Sequence, residues 1–455
     1  MADDPGAGSG LWCKDVAVEA PGSHNWRVWV PNLADVEWMA DVLSRHADAL
    51  GLSGEVTAVQ LLDSRLTHPH RPESPLCSGW ATCVVTTRDT SPTQLYVKGF
   101  SGDGAGEVAW RQDRAAMPGG QARHLPELDL LVWRFPGDPQ LPTLPTLVDR
   151  RLATSILPPA VCEVLDLQPG EDLRTTVVRY QPETSATLRF QADRDGAPAV
   201  YAKHLPDGEV GGVAARHQAL WSTTVQTPAL RLAQPLAADP ARGVLWTRGV
   251  PGGPLSSGVT PADLPEVTAP LGALLAALHM SRVEVSERLT VDDLLAEMRK
   301  KAKKLVRAHP VIAAPVHDLV TAATGHRSDV VRERDCTLHG DFHLDQLVCS
   351  PDGPVLVDLD SMVRGAPEID LAEFLVDLSL RGLPATVVHD VSERLLIAYA
   401  ASTGTELDVA LLAICADAEF VNRCYRHLRR HAPGWQVALE TELGRRADVA
   451  ALLRL

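Results

Sequence analysis

The chain has 455 residues, 45% hydrophobic and 22% charged, which is enough for two or three domains with their own cores. A net charge of -15 argues against a nucleic-acid partner, since phosphate binding needs a basic surface, and suits a cationic small molecule better. No run reaches the roughly 20 apolar residues of a membrane span, so no membrane partner is expected. Residues 1–25 open with MADDPGAGSG, acidic and glycine-rich without a signal segment, and are expected to be a disordered tail in the cytoplasm. The eight cysteines contain no C-x-x-C pair and read as reduced, mostly buried thiols.

Between Asn32 and Leu50, the residues Leu33, Val36, Met39, Val42 and Leu43 recur at helical spacing, with Asn32 as the expected cap. Strands are expected over 55–66, 80–87 and 94–100, and LYVKGF places Lys98 on the last of them, before a glycine-rich turn and the helix-like EVAWRQDRAAM. After Asp172 the plan repeats: 177–180 and 186–191 read as a hairpin around PETS, AVYAKHL carries Lys203 on a third strand, and VAARHQALW follows as a helix. LLVWRFPGDPQL is echoed by GVLWTRGVPGGPL, so a weak internal duplication is expected. Residues 249–258 read as a flexible link. Helices are expected at 262–280, with Leu271, Leu274, Leu275 and Leu278 on one face, then at 291–308 and 313–324. The basic end RKKAKK reads as a solvated face. Beyond Asp370 the chain reads as helix over 371–380, 387–403, 408–431 and 436–453.

The most informative stretch is TLHGDFHLDQLVCSPDGPVLVDLDSMVRGAPEIDLAEF, residues 337–374. Gly340 permits a sharp turn that sets Asp341 on a loop with Gln346 five residues on, and a second strand ends on Asp358, with Asp360 two residues later. Ser350, Pro351, Asp352 and Gly353 make a turn between the two runs, so the four oxygen-bearing side chains are expected at one end of a hairpin. Such carboxylates repel one another unless a cation lies among them, and hard oxygen donors without thiolate suit Mg²⁺. His339 and His343 are four apart, but the flanking β-type run and Gly340 argue against a zinc-binding helix.

This stretch resembles the aminoglycoside phosphotransferase branch of the kinase-like superfamily, which carries H-G-D-x-H-x-x-N, a hydrophobic-D-x-D/E strand and a later D-L-A. Here the last element is Asp370, Leu371 and Ala372, and Gln346 departs from the usual asparagine in a way similar to maltokinase-type sugar kinases. The resemblance implies an α+β, bilobal kinase-like fold, with a mixed α/β N-terminal cap at 26–165, a small β-rich nucleotide lobe at 166–253 and a mainly helical catalytic and substrate lobe at 254–455. It implies ATP- and Mg²⁺-dependent phosphorylation of a small-molecule hydroxyl on a sugar, aminosugar or aminoglycoside-like compound. Asp341 would be catalytic, Gln346, Asp358 and Asp360 would hold metal, and His339 and Asp370 would support the loop. Lys203, rather than Lys98, would meet the phosphates, because the small lobe directly precedes the catalytic loop. No glycine lies at the hairpin tip, so Ser185 and Thr187 are expected to donate hydroxyls to phosphate. The helix after Lys203 offers Arg216, His217 and Gln218 where a kinase keeps a glutamate. Acceptor-facing candidates are Asp377, Asp417, Glu419 and Arg423. Two other readings stand beside this one: a kinase of Ser or Thr in a precursor peptide, with that peptide as partner, and a non-catalytic nucleotide-binding pseudokinase.

Overall fold

The computed structural model describes residues 32–67, 78–100, 104–116, 122–168, 171–331 and 333–452, and the expected tail lies outside them. The chain divides into two compact units. The first takes Met1–Pro139, Lys300–His317 and Arg423–Leu443, and the second Gln140–Arg299, Asp318–Asn422 and Gly444–Leu455.

In the first unit, helix α1 spans Val36–Arg45. Its cap is Asp35, not Asn32: the Asp35 carboxylate accepts from the Glu37 and Trp38 amides at 2.9 and 3.1 Å. Strands β1 (Val56–Thr67), β2 (Ser78–Thr87) and β3 (Thr93–Phe100) lead to helix α2 (Ala105–Ala116), then to β4 (Ala122–Leu125) and β5 (Leu130–Arg134). The sheet order is β1-β2-β3-β5-β4. Its faces alternate as a pleat requires. One buries Cys83, Val85, Leu95 and Val97 against Met39, Val42 and Leu43 of α1. The other stacks Tyr96 on Trp133 at 4.9 Å and carries Trp80 and Phe100, with Trp110 of α2 packed against it.

The second unit begins with short helices α3 (Leu144–Val148), α4 (Arg150–Ile156) and α5 (Pro159–Leu165). Then come β6 (Leu173–Gln181), β7 (Ser185–Ala192), β8 (Ala199–His204), helix α6 (Glu209–Thr223), β9 (Pro235–Asp239) and β10 (Val244–Arg248). The order β6-β7-β8-β10-β9 repeats that of the first sheet, strand for strand. Lys98 lies opposite Trp80 and Leu131, and Lys203 opposite Thr187 and Leu245, so the two lysines hold the same register. The tryptophans do not. Trp246 falls one residue short of the position of Trp133 in the other copy, which turns it to the opposite face, where it packs on Phe190 at 5.2 Å.

The link after β10 is ordered rather than free. Strand β11 (Gly253–Pro254) pairs with Cys349 and Val348, and a Cβ on Gly252 would lie 1.8 Å from the Cys349 carbonyl oxygen. Helices α7 (Leu255–Gly258), α8 (Leu264–Val267) and α9 (Leu271–His279) follow, so the single helix expected over 262–280 breaks ahead of Pro270. Helix α9 is buried over almost its whole length. Next come β12 (Arg288–Leu289), α10 (Val291–Ala308), α11 (Ala313–His326) and β13 (Cys336–Leu338). In the basic run, Arg299 reaches the Thr324 hydroxyl at 3.2 Å and Lys304 the Tyr425 hydroxyl at 3.4 Å, so it is not simply a solvated face. The hairpin β14 (Leu347–Ser350) and β15 (Gly353–Leu356) turns through Pro351 and Asp352, while β13 pairs with β16 (Val363–Gly365) in a separate sheet. Helices α12 (Glu368–Leu380), α13 (Ala385–Thr403), α14 (Val409–Arg430), α15 (Trp435–Gly444) and α16 (Arg446–Leu452) complete the chain. No helix among the described residues is long and apolar enough to cross a membrane.

Candidate active site

Backbone geometry makes the site before any side chain acts. Gly340 sits at φ 78°, and a Cβ there would lie 2.2 Å from the Ser361 carbonyl oxygen, so this turn admits only glycine. Asp358 is left-handed too, at φ 63° and ψ 60°, a conformation that aspartate tolerates better than most residues and that turns the chain sharply at the strand end.

The loop around Gly340 is held from beneath by Asp370, fully buried in the first turn of α12. Its carboxylate accepts from the His339 amide at 2.7 Å, the Gly340 amide at 3.0 Å and His279 Nε2 at 3.1 Å. Burial alone would raise this carboxyl, but the His279 bond and the neighbouring imidazole charges outweigh it and hold the pKa below the ordinary value. His279 Nδ1 in turn meets the Tyr399 hydroxyl at 2.9 Å, which ties the loop to α13. His339 Nε2 lies 3.0 Å from the Val357 carbonyl oxygen, joining the first aspartate's loop to the residue before the second.

On the sheet side, Lys203 Nζ bonds both Asp358 Oδ1 and Asp360 Oδ2. Burial works against the ammonium, but the charges of Asp360 and Asp358 prevail and its pKa is raised. The Asp360 carboxyl is itself raised, chiefly by burial, with Lys203 opposing and the Asp358 charge adding to the effect. Arg216 Nη2 donates to the Asp360 carbonyl oxygen at 3.3 Å. The lysine thus takes its counter-charges from the two aspartates instead of from the helix that follows it.

Asp341 forms a second cluster. Gln346 Nε2 donates to its Oδ2 at 2.9 Å, and His343 Nε2 lies 3.5 Å from its Oδ1. Burial pushes the Asp341 carboxyl up, but bonding to His343 and Gln346 and the imidazole charges bring it down to about 2. The Val357 amide donates to the Gln346 carbonyl oxygen at 3.0 Å, so the two clusters adjoin through one hydrogen bond. The four oxygen-bearing side chains therefore meet as two neighbouring pairs, with Lys203 among the aspartates at 358 and 360 and the Gln346 amide nitrogen turned to Asp341.

Thr187 faces Lys203 across the β7–β8 ladder and so shares its side of the sheet, while Ser185 is buried where β7 begins. The tip between β6 and β7 is a tight turn in which Glu183 adopts φ 58°, the conformation a glycine would take most readily. Sequence reasoning passed over several contributors. His343 contacts Asp341 and also Asp345, and Glu373 Oε2 accepts from the Phe342 amide at 2.9 Å. Asp377, expected to face an acceptor, is instead buried in an ion pair with Arg381 at 2.6 Å, and Arg381 also meets Asp345 at 2.8 Å. Asp417 pairs with Arg446 at 3.5 Å and Glu419 accepts from Asn422 at 2.8 Å.

Residues 200–412 match the model of the phosphotransferase enzyme family, APH. The match begins on strand β8 just before Lys203, contains the whole loop and hairpin described above, and ends in α14. This part of the chain is similar to that phosphotransferase family. No curated protein matches the chain by sequence. Among solved structures, similar chains include a macrolide 2'-phosphotransferase from Brachybacterium faecium, at 18% identity and TM-score 0.42, covering 64% of this chain and 98% of the other. A glucosamine kinase in complex with glucosamine, ADP and inorganic phosphate covers 87% of this chain and 96% of its own, at 16% identity and TM-score 0.41. An aminoglycoside-3'-phosphotransferase of type VIII covers 54% and 93%, at 17% identity and TM-score 0.41. Likeness this remote carries no substrate across.

The site can be tested for a cation by its donors. Among the described residues no three His, Cys, Asp or Glu side chains gather as a metal group. Yet Asp358 and Asp360 both reach one ammonium, so their oxygens already converge on a position that a cation occupies. The donors at that position, the two carboxylates, are hard oxygens, the kind that suits Mg²⁺.

Proposed function

We propose that this domain transfers a phosphoryl group from ATP to a hydroxyl of a small molecule of the sugar, aminosugar or aminoglycoside-like class. The supporting observation is the junction of two clusters: Lys203 on the aspartates at 358 and 360, beside Asp341 held by Gln346. The net charge of -15 favours a cationic acceptor over an anionic one. The nucleotide lobe is assigned to 166–253 and the catalytic lobe to 254–455, with the β1–β5 unit as a cap.

In this reading Lys203 meets phosphate oxygens with its ammonium, and Thr187, on the same side of the sheet, adds a hydroxyl donor. Gln346, Asp358 and Asp360 would hold Mg²⁺ through their oxygens, and the ion would supply neutralisation of charge on the phosphates. Asp341 accepts the hydrogen bond of the attacking hydroxyl and orients it. A carboxylate with a pKa of about 2 is a weak base, and this is no obstacle when phosphoryl transfer passes through a loose transition state that needs positioning more than early proton removal. The Asp370 clamp on the His339 and Gly340 amides keeps Asp341 in place while acceptors come and go.

The test is ³¹P NMR of Mg-ATP incubated with a panel of sugars, aminosugars and aminoglycosides, comparing the protein with Asp341→Asn. The protein should transfer phosphate to at least one acceptor. The variant should lose about 10²- to 10⁴-fold in rate while binding ATP normally. Full transfer by Asp341→Asn would overturn the mechanism.

A further inference from the structure

Helix α6 stands where a kinase keeps the acidic partner of its phosphate lysine, and it carries Arg216, His217 and Gln218 there. His217 is buried and spent, with Nε2 2.8 Å from the Ala233 carbonyl oxygen, and Gln218 is exposed. Arg216 reaches the site. Helical side chains lean toward the N-terminus, and this one lies back over Gly212, where a Cβ would come 3.4 Å from Nη1. From there Nη2 donates to the Asp360 carbonyl oxygen at 3.3 Å. Asp360 belongs to a short 3-10 turn, Leu359–Ser361, entered through the left-handed Asp358. A turn of three residues closes few hydrogen bonds of its own, so its position depends on outside contacts. Lys203 holds it by the carboxylates at 358 and 360, and Arg216 by the backbone. These two contacts respond differently to a ligand. The ion pairs break when the ammonium turns to phosphate and the carboxylates to a cation. The Arg216 bond uses neither oxygen of the Asp360 carboxylate and so can persist.

We propose that Arg216 is a positioning residue of the cation seat: it holds the turn of Asp358 and Asp360 to helix α6 once Lys203 has left those aspartates for the phosphates. The helix then supports the metal-binding turn directly, by a charge-assisted bond to its backbone, where other kinases use the helix to hold the lysine. This deepens the phosphotransfer reading above and rests on it. The sign of the effect separates position from charge. A guanidinium beside Asp360 repels a divalent cation, so if Arg216 acted by charge alone its removal would strengthen Mg²⁺-dependent binding. If it acts by placing the turn, its removal weakens that binding. The free protein should notice little of the change, because there the two Lys203 ion pairs still hold the turn.

Calorimetric titration of ATP into the full chain and into Arg216→Met, each with and without Mg²⁺, tests the proposal, with melting temperatures of both proteins taken free and with Mg-ATP. Arg216→Met should bind Mg-ATP about tenfold more weakly, the loss expected for one hydrogen bond from a charged group. It should bind metal-free ATP as the parent does, and without ligand it should melt within about 2 °C of the parent. Arg216→Gln, with a shorter and uncharged arm, should show the same loss and decides alone if Arg216→Met fails to fold. Mg-ATP affinity in the variants equal to the parent's or tighter would overturn the proposal. So would a free variant whose melting temperature falls as far below the parent's as that of the Mg-ATP-bound variant, the mark of a merely structural bond. A parent that binds ATP without regard to Mg²⁺ would overturn the metal-dependent phosphotransfer reading together with this one. A parent that needs Mg²⁺, matched by both variants, would overturn this one alone.

Discussion

Replacing Lys203 by methionine keeps an unbranched side chain, one atom shorter, and removes the ammonium that both Asp358 and Asp360 bond. Truncating one partner of a fully buried ion pair costs about 3–5 kcal/mol, because the remaining charge is left uncompensated. Here the side chains of Lys203, Asp358 and Asp360 retain 18, 27 and 22% of their exposure, so solvent screens part of the repulsion. A loss of about 2–3 kcal/mol is the discounted expectation, or roughly 5–10 °C in melting temperature for a domain of this size. Mg²⁺ should restore much of it in the variant, since a divalent ion is drawn to two unpaired carboxylates, and should stabilise the unaltered protein less, where the ammonium competes. Differential scanning fluorimetry of both proteins across a Mg²⁺ series reads this directly. Equal Mg²⁺ shifts in the two proteins, or a Lys203→Met variant as stable as the parent, would refute the claim that lysine and metal answer the same carboxylates.

The same ion pair sets a pH dependence. The folded-state pKa of Lys203 is raised above the ordinary 10.5, so its contribution is fully present below that value and is lost as pH rises through the folded pKa. Urea midpoints measured from pH 8 upward should fall beyond 10.5 in the parent more steeply than in Lys203→Met. Gly340→Ala adds about 1–2 kcal/mol of left-handed strain and sets a methyl against the Ser361 carbonyl oxygen. The loop must shift to admit it, and turnover should drop about 100-fold with a lowered urea midpoint, measured in parallel.

How much of this was legible in sequence depends on whether a feature is local. The spacing of Gly340, Asp341, Gln346, Asp358 and Asp360 spelled out the loop and hairpin, because each rests on a turn or strand end within a few residues. The repeat of strand, lysine and helix around Lys98 and Lys203 was readable for the same reason, and the shared strand order carries it into the fold. What lay hidden is long-range. Lys203 and Asp358 are 155 residues apart, and nothing near the lysine announces that aspartates stand in for a helix glutamate. Arg216 registered only as an anomaly in the expected glutamate position, and Tyr399 gave no signal at all before helix α13 brought it to His279. Asp377 misled because a carboxylate on a helix beside the loop looks the same on paper whether it faces a cleft or an arginine. The break in the helix expected over 262–280 was available in principle from Pro270, and the run of leucines masked it.

The central claim is that Asp358, with Asp360 and Gln346, forms the seat of a cation on which nucleotide binding depends. Isothermal titration of ATP into the protein and into Asp358→Asn, each with and without Mg²⁺, tests it most directly. The account predicts tight binding that requires Mg²⁺ in the parent and weak binding indifferent to Mg²⁺ in the variant. ATP affinity that is the same in both proteins, or independent of Mg²⁺ in the parent, would contradict it.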